Sequence, residues 1–198
     1  MRRCLGLYYL LAIAAMTSGF SSCAQLVRPL QPGDAVVAKP GDGLIFGRIV
    51  MLRDKRNVFT DLPRFNNEFG WELTQTASGN RYVISPLTQD GPFVLALPPG
   101  LYEVTKLMFE DRAGQWKGLI VASFVVKPAT LTYLGTWEIE FTNLGPSSKV
   151  RGRVVDQLNE ARDDLQQTYG GTPQVIAVGT LATAEEGYLS LLQPRAEQ

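Results

Sequence analysis

The stretch TLTYLGTWEIEFTN, Thr130 to Asn143, decides the fold class. Its odd positions read Leu131, Tyr133, Gly135, Trp137, Ile139 and Phe141; its even positions read Thr132, Leu134, Thr136, Glu138, Glu140 and Thr142. Only Leu134 breaks the alternation. A period of two predicts a half-buried strand, with one face on a core and the other in water. Glu138 and Glu140 then share the exposed face, about 7 Å apart along the strand.

Working outward, the same texture recurs. GPFVLALPPGLYEVTKLMFE (91–110) is a strand, a reversal and a second strand, because proline presets the φ of a turn and Gly100 admits positive φ. Phe93, Leu95 and Leu97 are predicted to share one face. GLIFGRIVMLR (43–53) is a nearly unbroken apolar run, as in a strand covered on both faces, with Gly47 marking a bulge or a close backbone approach. WELTQTA (71–77) and NRYVIS (80–85) flank a Ser78-Gly79 turn, and GQWKGLIVASFVV (114–126) and SKVRGRVVD (148–156) add further strands. Asp156 reads as the N-cap of one helix, in which Leu158, Ala161, Leu165 and Tyr169 recur at helical spacing and Gly170-Gly171 supply the stop. The expected fold is mainly β, an antiparallel β-sandwich with one C-terminal helix.

Two motifs carry a resemblance. FVLALPPGLYEV resembles the strand-turn-strand signature of prealbumin-like (transthyretin-like, carboxypeptidase-regulatory-like) domains, and FVVKPATLTYLGTWEIEF resembles the hairpin that follows it in small bacterial lipoproteins built on that sandwich. Ala129 stands where the signature has Gly. VVDQLNEARDDLQQTYG resembles the helix that follows in those proteins. The resemblance covers residues 43–143 and implies a fold and a location, with no shared catalytic residues.

The N-terminus reads as a processing signal. Arg2 and Arg3 precede an uncharged apolar run, Leu5 to Ala15, shorter than the roughly 20 residues of a spanning helix. Phe20-Ser21-Ser22-Cys23 resembles the lipobox of bacterial lipoproteins, in which a peptidase cuts before a cysteine whose thiol carries diacylglycerol; Phe20 stands where Leu is usual. An ordinary cleaved signal that leaves Cys23 free is the alternative. Cys4 and Cys23 are the only cysteines, so residues 24–198 hold none to pair with Cys23, and an unpaired thiol is a liability in an oxidising compartment. The resemblance implies lipidation at Cys23, and Ala24 after it implies sorting to the outer membrane, facing the periplasm, if the source is a diderm bacterium. The organisation expected is a signal peptide over 1–22, a lipidated tether over 23–42 that becomes an edge strand near Ala35 to Lys39, a β-sandwich domain over 43–147, and a C-terminal strand, helix and tail over 148–198.

Composition narrows the chemistry. Without the leader, 17 basic residues remain against 19 acidic ones, so no basic field for nucleic acid exists. The chain contains no histidine, which excludes Ser-His-Asp and Cys-His machinery, the usual zinc sites and the 2-His-1-carboxylate iron site. No cofactor and no metal site are expected. Glu138 and Glu140 are weighed as a general acid/base pair against solvated residues of an alternating strand. Asp54, Asp61 and Glu68 with Asn66 and Asn67 are oxygen donors for Ca²⁺, but without calcium-loop spacing. Asp163 and Asp164 diverge on a helix surface. Ser123 with Lys117 or Lys127 lacks the strand-turn-helix setting of a nucleophile elbow. Trp71, Tyr82, Trp116, Tyr133 and Trp137 read as core. Phe59, Phe65 and Phe69, on a long loop over 54–70, are the candidate binding residues. The expected protein is a non-catalytic, lipid-anchored module of the cell envelope whose partner is an envelope protein or a glycan; the alternative is a carboxylate-dependent hydrolase of an envelope polymer.

Overall fold

The computed structural model describes residues 23–57, 69–87, 92–110, 114–141, 147–171 and 176–194. The leader, Phe59, Phe65, Asp61, Asn66, Asn67 and Glu68 lie outside them. The described chain is a mainly-β sandwich with one helix. Its strands are β1 (Gln25–Val27), β2 (Gly43–Arg53), β3 (Arg56–Asn57), β4 (Phe69–Gln75), β5 (Arg81–Leu87), β6 (Pro92–Leu97), β7 (Gly100–Glu110), β8 (Gly114–Leu119), β9 (Ala122–Val126), β10 (Leu131–Phe141) and β11 (Ser147–Val155). Helix α1 (Leu158–Tyr169) follows, then β12 (Ile176–Val178), β13 (Ala182–Thr183) and β14 (Glu186–Pro194).

One layer runs β1-β5-β4-β7, and β7 pairs with β9 along its first half and with β8 along its second. The other layer runs β14-β11-β10-β2, with β6 and β3 on the free edge of β2. Strand β8 bonds to β7 and also to β14, so the sheet is continuous around that side. The 114–126 segment therefore divides at Ile120-Val121 into two strands that share one neighbour. The sheet is mixed and not wholly antiparallel: β10 runs parallel to β2, from Leu131 opposite Leu44 to Phe141 opposite Arg53, and β1 runs parallel to β5.

The alternation in β10 changes phase at Leu134. A register shift separates Tyr133 from Thr136, and Gly135 has a φ of 96° that suits glycine. Leu131 and Tyr133 consequently point outward, while Leu134, Trp137, Ile139 and Phe141 point between the layers. The expected single inward face is in fact two. Between the layers, Trp71 lies edge-on to Phe93 at 5.1 Å and to Trp137 at 5.8 Å, and Tyr82 and Trp116 are buried with them. Phe93, Leu95 and Leu97 share this face as expected. Gly100, at φ 153°, closes the turn beside Gln75, whose Nε2 donates to the Pro99 carbonyl at 2.9 Å.

The outward apolar half of the second layer is what α1 covers. Ala161, Leu165 and Tyr169 pack on Leu44, Phe46, Val94, Leu131 and Tyr133. Gln157 occupies the N-cap, and the Asp156 carboxylate accepts from the Leu158 N–H at 3.2 Å. Gly170, in the left-handed region, ends the helix.

Two segments differ from the sequence expectation. The 23–42 stretch is no free tether: β1 is the edge strand, whereas 35–39 forms none. Leu30 donates to the Val94 carbonyl at 2.9 Å and accepts from the Tyr169 hydroxyl at 3.2 Å. Leu30, Val36 and Ala38 pack under the helix-side cluster. The expected tail is a strand over Glu186–Pro194, because β14 pairs with β11 and β8 and completes the second layer beside β11. Among the described residues, no helix is long and apolar enough to cross a membrane.

Candidate functional site

Beyond the helix, the outer face of the second layer is open and charged. The antiparallel β10–β11 ladder sets Glu138 opposite Arg153 and Glu140 opposite Arg151, and β14 sets Glu186 on the other side of Arg151. Alternation turns Arg151 and Arg153 outward and Gly152 inward. A Cβ at position 152 would meet Ile120 Cδ1 at 2.5 Å, Thr183 Oγ1 at 2.9 Å and Trp137 Nε1 at 3.1 Å. Glycine at this position therefore lets residues 183–186 close in. Trp137 Nε1 donates to Thr183 Oγ1 at 3.2 Å, and the Gly152 N–H donates to the Glu185 carbonyl at 3.1 Å. The result is a cleft of about 730 Å³ lined by Leu52, Lys55, Glu138, Glu140, Arg151, Gly152, Arg153, Glu185 and Glu186. Lys55 reaches it from a two-residue Asp54-Lys55 reversal between β2 and β3, with φ values of 50° and 65°.

The carboxylates and cations of the cleft interleave. Glu138 is ion-paired with Arg153 Nε. Arg153 is 74% exposed, so the pair contributes little to stability. Among the described residues, no three carboxylates or other ligating side chains gather as a metal site.

The remaining candidates sit elsewhere. Phe69 is 2% exposed in β4 and belongs to the central core, which corrects its assignment as a binding residue. Its side chain points between the layers, where no partner reaches it. Phe59 and Phe65 lie outside the described residues. Asp164 pairs with Arg48 and ties α1 to β2, while Asp163 faces solvent. Ser123 is a mid-strand residue of β9 between Glu103 and Ala182. Cys23 is exposed and unpaired.

The sequence reading did not single out Arg151, Arg153, Lys55, Glu185, Glu186 or Glu72. A signal for the first two was present: in SKVRGRVVD the cations Lys149, Arg151 and Arg153 fall at period two, as do the acids of β10. Glu72, on the outer face of β4, stands between Arg81 and Lys106, whose Nζ is 2.6 Å from Oε2. Burial would raise its carboxyl pKa, but the hydrogen bonds from Lys106 and Arg81 and their charges outweigh burial and hold it below 4.5. A depressed folded-state pKa confers stability that is present above the unfolded value and lost as pH falls through the folded one. The stability advantage of the wild type over Glu72→Gln is therefore expected to be full at pH 7 and to shrink as pH falls below about 4. Urea titrations across that range check this, and a difference that does not change with pH would refute it.

Comparison with protein-family models, with curated proteins and with solved structures finds no match for this chain.

Proposed function

We propose that the protein is a non-catalytic, lipid-anchored module of the cell envelope, acylated at Cys23, that works by binding an envelope protein or glycan through the charged cleft. It belongs in the outer membrane facing the periplasm if the source is a diderm bacterium. The observation that carries the binding role is the alternation of sign across the cleft, Glu140-Arg151-Glu186 in one row and Glu138-Arg153 in the next. Rows of this kind complement a partner that carries both charges, and they fix register more than they add affinity.

The hydrolase reading has one observation in its favour. The cleft does contain two carboxylates on one strand face, Glu138 and Glu140, as such chemistry needs. Glu138 is engaged by the Arg153 guanidinium, so in that reading the proton donor would have to be Glu140.

Two measurements test the proposal. An alkyne fatty acid supplied to growing cells is expected to label the wild type and not Cys23→Ser; equal labelling overturns the anchor. Immobilised protein is expected to retain an envelope component that Arg151→Glu/Arg153→Glu loses at unchanged melting temperature. If the wild type instead degrades peptidoglycan, and Glu138→Gln or Glu140→Gln folds normally without that activity, the protein is an enzyme.

A further inference from the structure

We propose that the end of the sandwich nearest Cys23 rests on the lipid surface, with Leu26, Leu101 and Val125 as contact residues, so that the charged cleft is held at the far end. The inference rests on the lipid-anchored reading above and adds an orientation to it. Only Ala24 separates Cys23 from Gln25, which is already in register with Tyr82 on β5. An extended chain covers about 7 Å over that interval, so an acylated sulfur leaves the domain no room to stand away from the bilayer.

The topology says which end is brought down. β5 begins beside β1 at Arg81, β4 ends there at Gln75 opposite Tyr102, and Leu101 is the ladder partner of Val125. At about 4.8 Å per strand, Leu101 and Val125 lie roughly 15–20 Å across the sheet from β1, at the same end. Alternation sends Tyr102, Phe124 and Val126 into the core and leaves Leu101 and Val125 outside, 43% and 49% exposed. Leu26, 60% exposed, points to the same outer face as its partner Val83. The exposed cations of this end are Lys39, Lys127 and Arg81, the last ion-paired with Glu72, and Glu103 is an exposed acid among them. An apolar cross-strand pair flanked by basic side chains fits the headgroup boundary of an anionic bilayer, where apolar groups sit at shallow depth and cations meet lipid phosphate.

The cleft lies at the other end. β2 starts at Gly43, opposite Leu97 and next to the reversal into Leu101, and reaches the cleft at Leu52. Nine residues of strand place the cleft about 30 Å away.

The test uses the acylated protein, whose Cys23 thiol is occupied, carrying Leu101→Cys, Val125→Cys or Leu52→Cys labelled with a polarity-sensitive fluorophore. Each is bound to vesicles of phosphatidylethanolamine and phosphatidylglycerol that contain headgroup-spin-labelled lipid. Fluorescence is expected to be lost at positions 101 and 125 and kept at 52. Vesicle-bound protein with no loss at 101 and 125, or with equal loss at 52, overturns the orientation while leaving the anchor intact. Protein that does not float with the vesicles overturns both. Shielding that follows protein concentration in detergent, without lipid, assigns the surface to a second copy of the chain and also overturns the proposal.

Discussion

Trp137→Ala is expected to lower the free energy of unfolding by about 3–5 kcal/mol, the range for truncating a large buried aromatic side chain. Trp137 is 2% exposed at the centre of the sandwich, packs edge-on against Trp71, and lies over the Gly152 backbone. Its loss opens a cavity between the layers and removes the hydrogen bond to Thr183 that holds residues 183–186 against the sheet. A domain of ordinary stability, about 5–15 kcal/mol, would lose a large share of it. Trp137→Phe retains most of the packing and loses the indole N–H, so its cost should be clearly smaller. Urea unfolding followed by far-ultraviolet circular dichroism, with an unchanged m value, checks both variants. A cost below about 1 kcal/mol for the alanine variant would remove Trp137 from the centre of the core.

Leu165→Ala is expected to cost about 2–5 kcal/mol, through a different part of the molecule. Leu165 is fully buried midway along α1, between Ala161 and Tyr169, over the apolar half of the second layer. A helix of 12 residues is marginal in water without tertiary packing, so weakening this contact loosens the whole element. At 2 kcal/mol, amide exchange through α1 is expected to quicken by about 30-fold. If the exchange of the strands rises equally, helix and sandwich unfold as one unit; if only α1 changes, the helix is a separately opening lid on Leu44, Phe46, Leu131 and Tyr133. Exchange unchanged everywhere would show that Leu165 does not dock the helix.

The two substitutions address the two faces of one strand, and β10 illustrates how far local pattern reaches. Its period of two was readable, and so were the outward position of Glu138 and Glu140 and the inward position of Trp137, Ile139 and Phe141. Leu134 was visible as the one break in alternation. Its meaning, a bulge that turns Leu131 and Tyr133 toward a helix almost thirty residues later, required knowing that a helix packs there. Phe69 shows the same limit. A loop of charged residues, Pro63 and paired Asn surrounded it in the sequence, and no local feature told that it begins β4 and enters the core.

The sequence by itself determined that the chain is a β protein with one late helix, where the Pro98-Pro99-Gly100 reversal falls, which side chains share a face of a strand where the alternation is unbroken, and that histidine and thiol chemistry are absent from residues 24–198. Backbone geometry and near neighbours control all of these. Tertiary structure alone decided that β10 lies parallel to β2, that Gln25–Val27 joins an edge, that the C-terminal strands complete the second layer, and that Glu138 and Glu140 share a cleft with Arg151, Arg153, Lys55 and Glu186. The physical reason is that alternation specifies the faces of a strand but not its neighbours. Ladder hydrogen bonds are made by backbone groups common to every residue, so the choice of partner strand is settled by packing across the whole core.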